Sequence, residues 1–239
     1  MPLPTIATPT YELVLPSTQQ KIKFRPFLVK EEKLLVLALE TEDSNQITQA
    51  ITGVIRSCIL TKSVKVEELP TFDIEYLFLN IRGKSVGEDV EVNIICPDDG
   101  ETEVPVKIAL DQIEVQFNEE HTTQVKIDDK LMMEMKYPSL DQFVKNNFDF
   151  NNDNSMEQSF EIIGSCIDKI YSEEEVWAID DFSKKEVEEF LEQMNSSQFK
   201  EVEKFFNTMP KLSHEVKVKN PKTKKSSTVV LEGLSSFFA

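Results

Sequence analysis

The side chains with the greatest potential for catalysis in this 239-residue chain are three cysteines and two histidines. A nucleophile needs a base within reach and a further group that orients the base. His121 lies in a polar loop sequence, His214 lies in a predicted strand, and the chain has no Gly-x-Ser-x-Gly nucleophile elbow. Cys58 and Cys166 fall on apolar helix faces, where a free cysteine packs like a small hydrophobic residue. We therefore predict no catalytic residue.

Cys96 lies in a predicted turn, but a metal site needs several ligands close together. It begins the sequence Cys-Pro-Asp-Asp-Gly, in which Asp99 occupies the position where a zinc knuckle would place its second thiolate. Acidic and amide side chains form two small clusters, and the later one lacks the glycine and the terminal glutamate of a calcium loop. Solvated turns are the favoured interpretation of both, so we predict no metal and no cofactor. The clusters are Asp98, Asp99 and Glu101, and Asp149, Asn151 and Asp153.

One basic cluster interrupts an otherwise acidic chain, at the turn of the last predicted hairpin. It could guide an acidic partner electrostatically, or it could be a solvated hairpin tip, and the sequence leaves both open. Phe237 and Phe238 are two aromatic residues that either dock on the core or insert into a partner. The lysines of the basic cluster are Lys217, Lys219, Lys222, Lys224 and Lys225.

The composition counts against several function classes. Forty-three acidic residues against 26 basic ones give a net charge of −17, whereas proteins that bind nucleic acids or anionic membranes present basic faces. No apolar run approaches the ~20 residues of a membrane span. Three cysteines indicate a reducing cytosol, and six glycines are few for an enzyme that cradles nucleotide phosphates. We expect no nucleic acid, no membrane span and no small-molecule substrate.

The elements that must position these side chains follow from hydrophobic periodicity. Alternation of apolar and polar residues predicts strands, and apolar residues at spacings of three and four predict helices. Proline, glycine and Asp-Ser-Asn sequences mark the ends of these elements. In order, the first part of the chain is predicted to form a hairpin over 11–26, helices over 28–39, 43–59 and 70–87, a hairpin that turns at 96–100, and strands at 113–117 and 125–127.

The second part of the chain is predicted to be helical up to a last hairpin. Apolar residues at helical spacing predict a short stretch at 140–144 and a helix over 160–170. Ser183 and Glu186, three positions apart, predict a capping box that begins another helix. A further helix follows, and alternation over 214–231 predicts the closing hairpin.

These elements indicate an α+β fold in which amphipathic helices carry an N-terminal β-hairpin and two further hairpin modules. Its two halves have the same order of parts, and residues 55–59 and 163–167 (Ile-Arg-Ser-Cys-Ile and Ile-Gly-Ser-Cys-Ile) match most closely. Identity elsewhere is low, so two similar halves are a hypothesis. We predict a region over 1–137 with the first hairpin, helices and central β-hairpin, and a helical region over 138–239 with the C-terminal β-hairpin.

One phrase, Phe-Arg-Pro-Phe-Leu-Val-Lys-Glu-Glu-Lys at residues 24–33, carries a resemblance. With the first hairpin it resembles the opening of the baseplate hub proteins of T-even-type contractile-tailed bacteriophages, a family with a hub subunit and a hub assembly catalyst. The stretches 94–97 and 231–238 support the resemblance. Relatives of this kind often carry paired cysteines at their hairpin turns. This chain keeps only Cys96 and has Asn220 in the second turn, so a zinc-stapled version is not carried over.

The resemblance implies a structural or assembly protein of the phage tail baseplate hub. Such a protein is made in the host cytoplasm, binds other hub proteins and is not an enzyme. Phe24, Phe27, Phe237 and Phe238 are the apolar anchors that we predict for these partners, with the lysine cluster as an electrostatic guide. Burial between the first hairpin and the first helix is the alternative for Phe24 and Phe27. Whether the protein stays in the virion or leaves as an assembly factor is open.

A metal-dependent hydrolase is the second function class that the sequence leaves open. The few glycines, the two histidines and the lack of a nucleotide or nucleophile motif count against it. We therefore favour a binding protein without enzymatic activity. The acidic ligands of such a hydrolase would include Asp149, Asp153, Glu173 and Asp180.

Overall fold

A computed structural model describes residues 6–41, 43–138, 156–233 and 236. Helices and antiparallel strands follow one another along these residues, which confirms the predicted α+β class. In chain order the elements are β1 (Tyr11–Val14), β2 (Lys21–Phe24), α1 (Val29–Leu39), α2 (Ser44–Cys58), α3 (Thr71–Val86), β3 (Asp89–Ile95), β4 (Glu103–Ala109), β5 (Glu114–Gln116), β6 (Gln124–Lys126), β7 (Met132–Met135), α4 (Met156–Ser165), β8 (Ile167–Tyr171), β9 (Val176–Ala178), α5 (Lys184–Glu192), α6 (Ser196–Thr208), β10 (Lys211–Lys219) and β11 (Ser226–Glu232).

The described strands form four small antiparallel sheets. Two of them are single hairpins, β1–β2 and β3–β4. Strands β6, β7, β8 and β9 form a four-stranded sheet in chain order. The remaining sheet has the order β11–β10–β5, and Leu212 of β10 lies opposite Val115 of β5. This sheet therefore joins the closing hairpin to the middle of the chain.

Two hydrophobic clusters form the core. The first contains inward side chains of β1–β2, α2, α3 and β3–β4, such as Ile22 and Ile55, and β10 adds Leu212 and Val216. The second contains inward side chains of β6, β7 and β8 together with those of α4, α5 and α6. The first cluster thus draws on both ends of the described chain. The division of the chain at residue 137 stays a prediction.

The helix predicted over 160–170 is wrong in its second half. Helix α4 ends at Ser165, and the chain continues as β8, which lies between β7 and β9. Met133 and Met135 pair with Ile170 and Ile167, so two positions on β7 match three on β8 and a β-bulge results. The bulge lets residues three apart face the same side, which reproduces the spacing of a helix. The stretch predicted at 140–144 lies outside the described residues.

Aromatic contacts join α3 to the second cluster. Tyr137 follows β7 and packs edge-on against Phe72 of α3, with ring centroids 5.1 Å apart, and it stacks on Phe205 of α6 at 5.8 Å. His121 Nε2 lies 3.0 Å from the hydroxyl of Tyr137, and His121 Nδ1 lies 3.0 Å from Thr208 Oγ1. Burial lowers the pKa of His121, which favours the neutral ring. This histidine is therefore half-buried and packs against the rings of Tyr137 and Phe205.

Candidate functional site

Three hairpins, β1–β2, β3–β4 and β10–β11, turn in the same way. In each turn the carbonyl of the first residue accepts a hydrogen bond from the N–H of the fifth, and the second residue is proline. The first residues, which are all buried, are Leu15, Cys96 and Asn220. The fifth residues, which all have positive φ, are Gln19 (57°), Gly100 (68°) and Lys224 (67°). Proline fixes one backbone angle of this turn, and the left-handed fifth residue closes it.

Two of these turns touch each other at their tips. The side-chain amide nitrogen of Asn220 donates hydrogen bonds to Asp98 Oδ1 at 3.0 Å and to Asp99 Oδ2 at 2.8 Å. The hydroxyl of Thr223 donates to the second oxygen of Asp98. We call Asp98, Asp99, Asn220 and Thr223 the hairpin clasp. It joins side chains that lie 121 to 125 residues apart in the sequence.

Each turn also orients its own clasp side chains. Asp99 Oδ1 accepts two backbone N–H groups of the β3–β4 turn, at 3.1 and 3.0 Å, and the hydroxyl of Thr102 donates to Oδ2 at 2.6 Å. The amide oxygen of Asn220 accepts two backbone N–H groups of the β10–β11 turn, at 2.8 and 3.2 Å. With its oxygen engaged in this way, the amide nitrogen of Asn220 faces the carboxylates. The clasp is thus a fully hydrogen-bonded network.

These hydrogen bonds set the charges of the clasp. Donation from Thr223 and then from Asn220 lowers the pKa of Asp98. The Thr102 hydroxyl, backbone N–H groups and Asn220 hold the pKa of Asp99 well below its usual range. Burial raises the pKa of the Cys96 thiol, and the two neighbouring carboxylates add to that effect. At neutral pH the clasp therefore holds two carboxylates beside a protonated thiol.

The residues at the clasp do not fit a pair of zinc knuckles. Two zinc knuckles would place thiolates at the first and fourth positions of both turns, and zinc binds four such sulfur or nitrogen ligands. Only one of these side chains is a cysteine, and the amide and carboxylate among them are already engaged with each other. No group of three or more His, Cys, Asp or Glu side chains in the described residues could hold a metal ion. The four positions are Cys96, Asp99, Asn220 and Thr223.

The acidic residues of the hydrolase alternative do not come together in the described part of the chain. Glu173 lies in the turn between β8 and β9, and Asp180 follows β9. Asp180 borders an open groove of 760 Å³ beside α4 and α5. Asp149 and Asp153 lie outside the described residues. No observation here favours the hydrolase.

The lysine cluster surrounds the clasp on the β10–β11 hairpin. Lys217 and Lys219 point outward from β10, where they alternate with buried valines, and the other three lysines lie in the turn. All five are exposed. The ion pairs within the described residues involve other lysines, such as Lys107 of β4 with Asp89 of β3 at 2.8 Å. The tip of this hairpin therefore presents lysines without carboxylate partners in the described chain.

Residues 24–33, which carry the family resemblance, connect β2 to α1 and pack into the core. Phe24 and Phe27 are 2% and 9% exposed and belong to the first cluster. Arg25 Nη2 lies 2.9 Å from Glu31 Oε1 of α1, and Glu31 Oε2 accepts the N–H of Leu28 at 2.8 Å. Burial would raise the pKa of Glu31, but the hydrogen bonds from Arg25 and Leu28 outweigh it and lower the pKa. Phe24 and Phe27 are therefore buried, which is the alternative stated above. Their rings are not exposed to a partner in this structure.

Sequence reasoning missed the clasp itself. The signal that could have pointed to it is the repeated X-Pro step at Cys96 and Asn220, with carboxylates after one proline and hydrogen-bond donors after the other. Nothing local shows that the two turns meet. Their contact depends on the approach of β4 and β10, which belong to different sheets, in the fold.

Comparison with models of known protein families gives a match that covers most of the chain. The family model described as T4 bacteriophage base plate protein matches residues 8–239, which is almost the whole chain. No curated protein and no solved structure shows a significant match. Among the described residues, no helix has the length and apolar character needed to cross a membrane.

Proposed function

Because the chain belongs to the T4 bacteriophage base plate protein family, we propose that it serves the tail baseplate hub as a structural or assembly protein. In this role it binds other hub proteins and catalyses no reaction. Family membership supports a structural role in the phage baseplate, with other baseplate proteins as partners. The positive charge of the β10–β11 hairpin supports the proposal that this hairpin is the docking surface.

The charge of this hairpin is the observation that carries the proposal. Residues 211–232 contain six lysines and two glutamates, which gives a net charge of +4 in a chain whose net charge is −17. A concentrated basic surface speeds the encounter with an acidic partner and orients it. The same surface disfavours binding at the wrong face, because the rest of the chain is acidic and repels such a partner.

The clasp fixes the tip that carries the lysines. Asn220 is 1% exposed and hydrogen-bonded through both atoms of its amide, so the β10–β11 turn is held against the β3–β4 turn. A docking surface that is ordered before binding loses less conformational entropy on association. Because Asp98 and Asp99 bind Asn220 and Thr223, the neighbouring lysines stay available for a partner.

Two aromatic anchors complete the proposal. Phe237 and Phe238 lie outside the described residues, and they follow the last residue of β11 by five and six positions. That end of β11 is opposite the lysine tip. We propose that these rings insert into an apolar pocket of the hub partner, since aromatic side chains in pockets dominate many interfaces.

Affinity purification of the tagged protein from infected host cells tests this function, with mass spectrometry of the eluate and of purified virions. We expect baseplate hub proteins in the eluate. Presence of the protein in the virion as well would identify a hub subunit, and its absence from the virion would identify an assembly factor. Recovery of no tail protein would overturn the proposal.

Charge reversal tests the docking surface. Replacing the three turn lysines with glutamate should lower the recovery of hub proteins at least about tenfold, because attraction to an acidic partner becomes repulsion. The matched control reverses three exposed lysines elsewhere and changes the net charge by the same amount. An equal loss in both variants would contradict a specific role of the hairpin. The variant carries Lys222→Glu, Lys224→Glu and Lys225→Glu, and the control carries Lys21→Glu, Lys62→Glu and Lys130→Glu.

A further inference from the structure

Strand β11 is the edge of the β11–β10–β5 sheet, and among the described residues it pairs only with β10. The pairing is regular over seven residues, from Ser226 opposite Lys219 to Glu232 opposite Ser213. No proline interrupts it. An edge of this length presents unpaired backbone N–H and C=O groups in the geometry that another strand requires.

The backbone groups that face this free edge can be identified from the two ends of the ladder. Asn220 N donates to Lys225 O at one end, and Gly233 N donates to Leu212 O at the other, both at 2.9 Å. Hydrogen-bonded pairs alternate with non-bonded pairs in an antiparallel ladder. In the observed register the bonded residues of β11 are Ser227, Val229 and Leu231. The N–H and C=O groups of Thr228 and Val230 therefore point away from β10.

Both strands of the β3–β4 hairpin carry features that hinder strand addition. Strand β4 contains Pro105, and β3 presents Asp89 and Glu91. Strand β11 has no charged residue from Ser226 to Leu231, and Val230 is 50% exposed. Charged residues, prolines and bulges are the usual means by which proteins block an open edge. Their absence from Ser226 to Leu231 leaves this part of the edge ready for pairing.

The surroundings of the edge are basic at the end next to the turn, whereas Glu215 lies opposite Val230 towards the other end. Lys217 lies opposite Thr228 and Lys219 lies opposite Ser226, while Lys224 and Lys225 lead directly into β11. Strands lie about 4.8 Å apart, so a strand added to β11 would run about 10 Å from β10. Long lysine side chains can cover much of that distance. Acidic side chains at alternate positions of the added strand would meet them on the outer face.

We propose that β11 accepts an extended acidic segment of another baseplate protein as a fourth strand of its sheet. This inference rests on the proposed function, and it adds the chemistry of the partner and the mode of contact. Backbone hydrogen bonds to Thr228 and Val230 hold the segment, and the lysines select its acidic side chains.

Proline substitutions separate backbone pairing from other contacts. Thr228→Pro and Val230→Pro each remove an outward N–H, and they leave the bonded residues of the β10–β11 ladder in place. Thr228→Ala and Val230→Ala are the matched controls, because they shorten the same side chains and keep the N–H. In affinity purification from infected cells, we expect each proline variant to recover at least about tenfold less baseplate protein than its alanine control.

A second measurement uses the unaltered protein. Hydrogen exchange of the β11 peptide, compared between the free protein and the purified complex, should show about two additional slow amides, those of Thr228 and Val230. Carbodiimide, which joins lysine amines to carboxylates, should link Lys217, Lys224 or Lys225 to a single acidic segment of the partner. These readouts decide the question even where a proline variant fails to fold.

The outcomes separate this inference from the function on which it rests. Equal recovery by the proline and alanine variants, or unchanged exchange of the β11 amides in the complex, would overturn strand addition and leave the baseplate function standing. Crosslinks scattered over the partner surface would also count against it. If the unaltered protein recovered no baseplate protein, the proposed function and this inference would both fail.

Discussion

The β3–β4 turn and the β10–β11 turn have the same backbone and opposite chemistry. In both, proline is the second residue, and the fifth has a positive φ of 68° or 67°. The first turn places two aspartates at its third and fourth positions, whereas the second places a lysine and a threonine there. Proline and the left-handed residue therefore set the shape. The side chains at the other positions decide which turn accepts hydrogen bonds and which donates them.

The largest effect should follow from placing a carboxylate in the β10–β11 turn, so that both turns are acidic where they meet. Asn220→Asp would place a third carboxylate against Asp98 and Asp99 at a buried position. We expect the free energy of unfolding to fall by about 3 kcal/mol at neutral pH, since an unsatisfied buried group costs about 1–3 kcal/mol and a charged one more. Urea unfolding measures this change.

The matched control for that variant is Asn118→Asp. Asn118 is exposed, and its side chain accepts a backbone N–H at 2.9 Å, which an aspartate can also do. The control should change stability by less than about 0.5 kcal/mol. The defect of Asn220→Asp should shrink on acidification, which neutralises the added carboxyl. A defect independent of pH would contradict charge repulsion as its cause.

A smaller effect should come from acid alone. Hydrogen bonds from Thr223 lower the pKa of Asp98, and those from Thr102 and Asn220 lower that of Asp99, so the folded chain binds fewer protons than the unfolded one. The clasp therefore adds stability above the unfolded pKa of about 3.9, and this stability is lost as the pH falls below it. Between about pH 5 and pH 3, unfolding in urea should show a steeper loss of stability for the native chain than for Asn220→Ala.

The clasp can be distinguished from the half-buried His121 by the pH range in which each loses its contribution to stability. Burial lowers the pKa of His121, so its contribution to stability is lost as the pH falls below about 6.5. Equal slopes for the native chain and Asn220→Ala below about pH 4 would show that the clasp carboxylates do not depend on Asn220.

The smallest effects should appear at the fifth position of the turns. Gly100→Ala should cost about 1 kcal/mol of unfolding free energy, because a positive φ disfavours a Cβ even though no atom lies within 4 Å of that position. Lys224→Gly should instead stabilise the protein by about 0.5–1 kcal/mol. Gln19→Gly in the β1–β2 turn is the control, since its φ is 57° and it lies outside the clasp. Thermal melting that shows no gain for either glycine variant would contradict this account of the turn.

Local signals in the sequence predicted most elements correctly. The capping box forms as expected, with Ser183 N donating to Glu186 Oε2 at 2.8 Å at the start of α5. The three hairpins likewise follow from alternation. The error at β8 arose because a β-bulge places Ile167 and Ile170 on one face, and the bulge exists only through pairing with β7.

The clasp could not be predicted from local sequence patterns, since its hydrogen bonds join distant parts of the chain. Asp99 and Asn220 are 121 residues apart, and each looks like an ordinary turn residue in its own segment. The segment 24–33, which suggested the family, has a structural role, because Arg25 and Glu31 form an ion pair within the connection between β2 and α1. Residues that carry a family resemblance through the fold therefore give little information about the docking surface that we propose, which differs in charge and lies far along the chain.

The pairing of β5 with β10 has a consequence for biosynthesis. Gln116 pairs with Lys211, which is 95 positions later, and translation adds about 5–20 residues per second. For about 5–20 s, the nascent chain therefore lacks Leu212, Val216 and Val218, which complete the first cluster. During this interval apolar side chains remain open to chaperones and proteases. The strand that completes this cluster belongs to the β10–β11 hairpin, so the hairpin that carries the lysine cluster is also the last part of the core to be made.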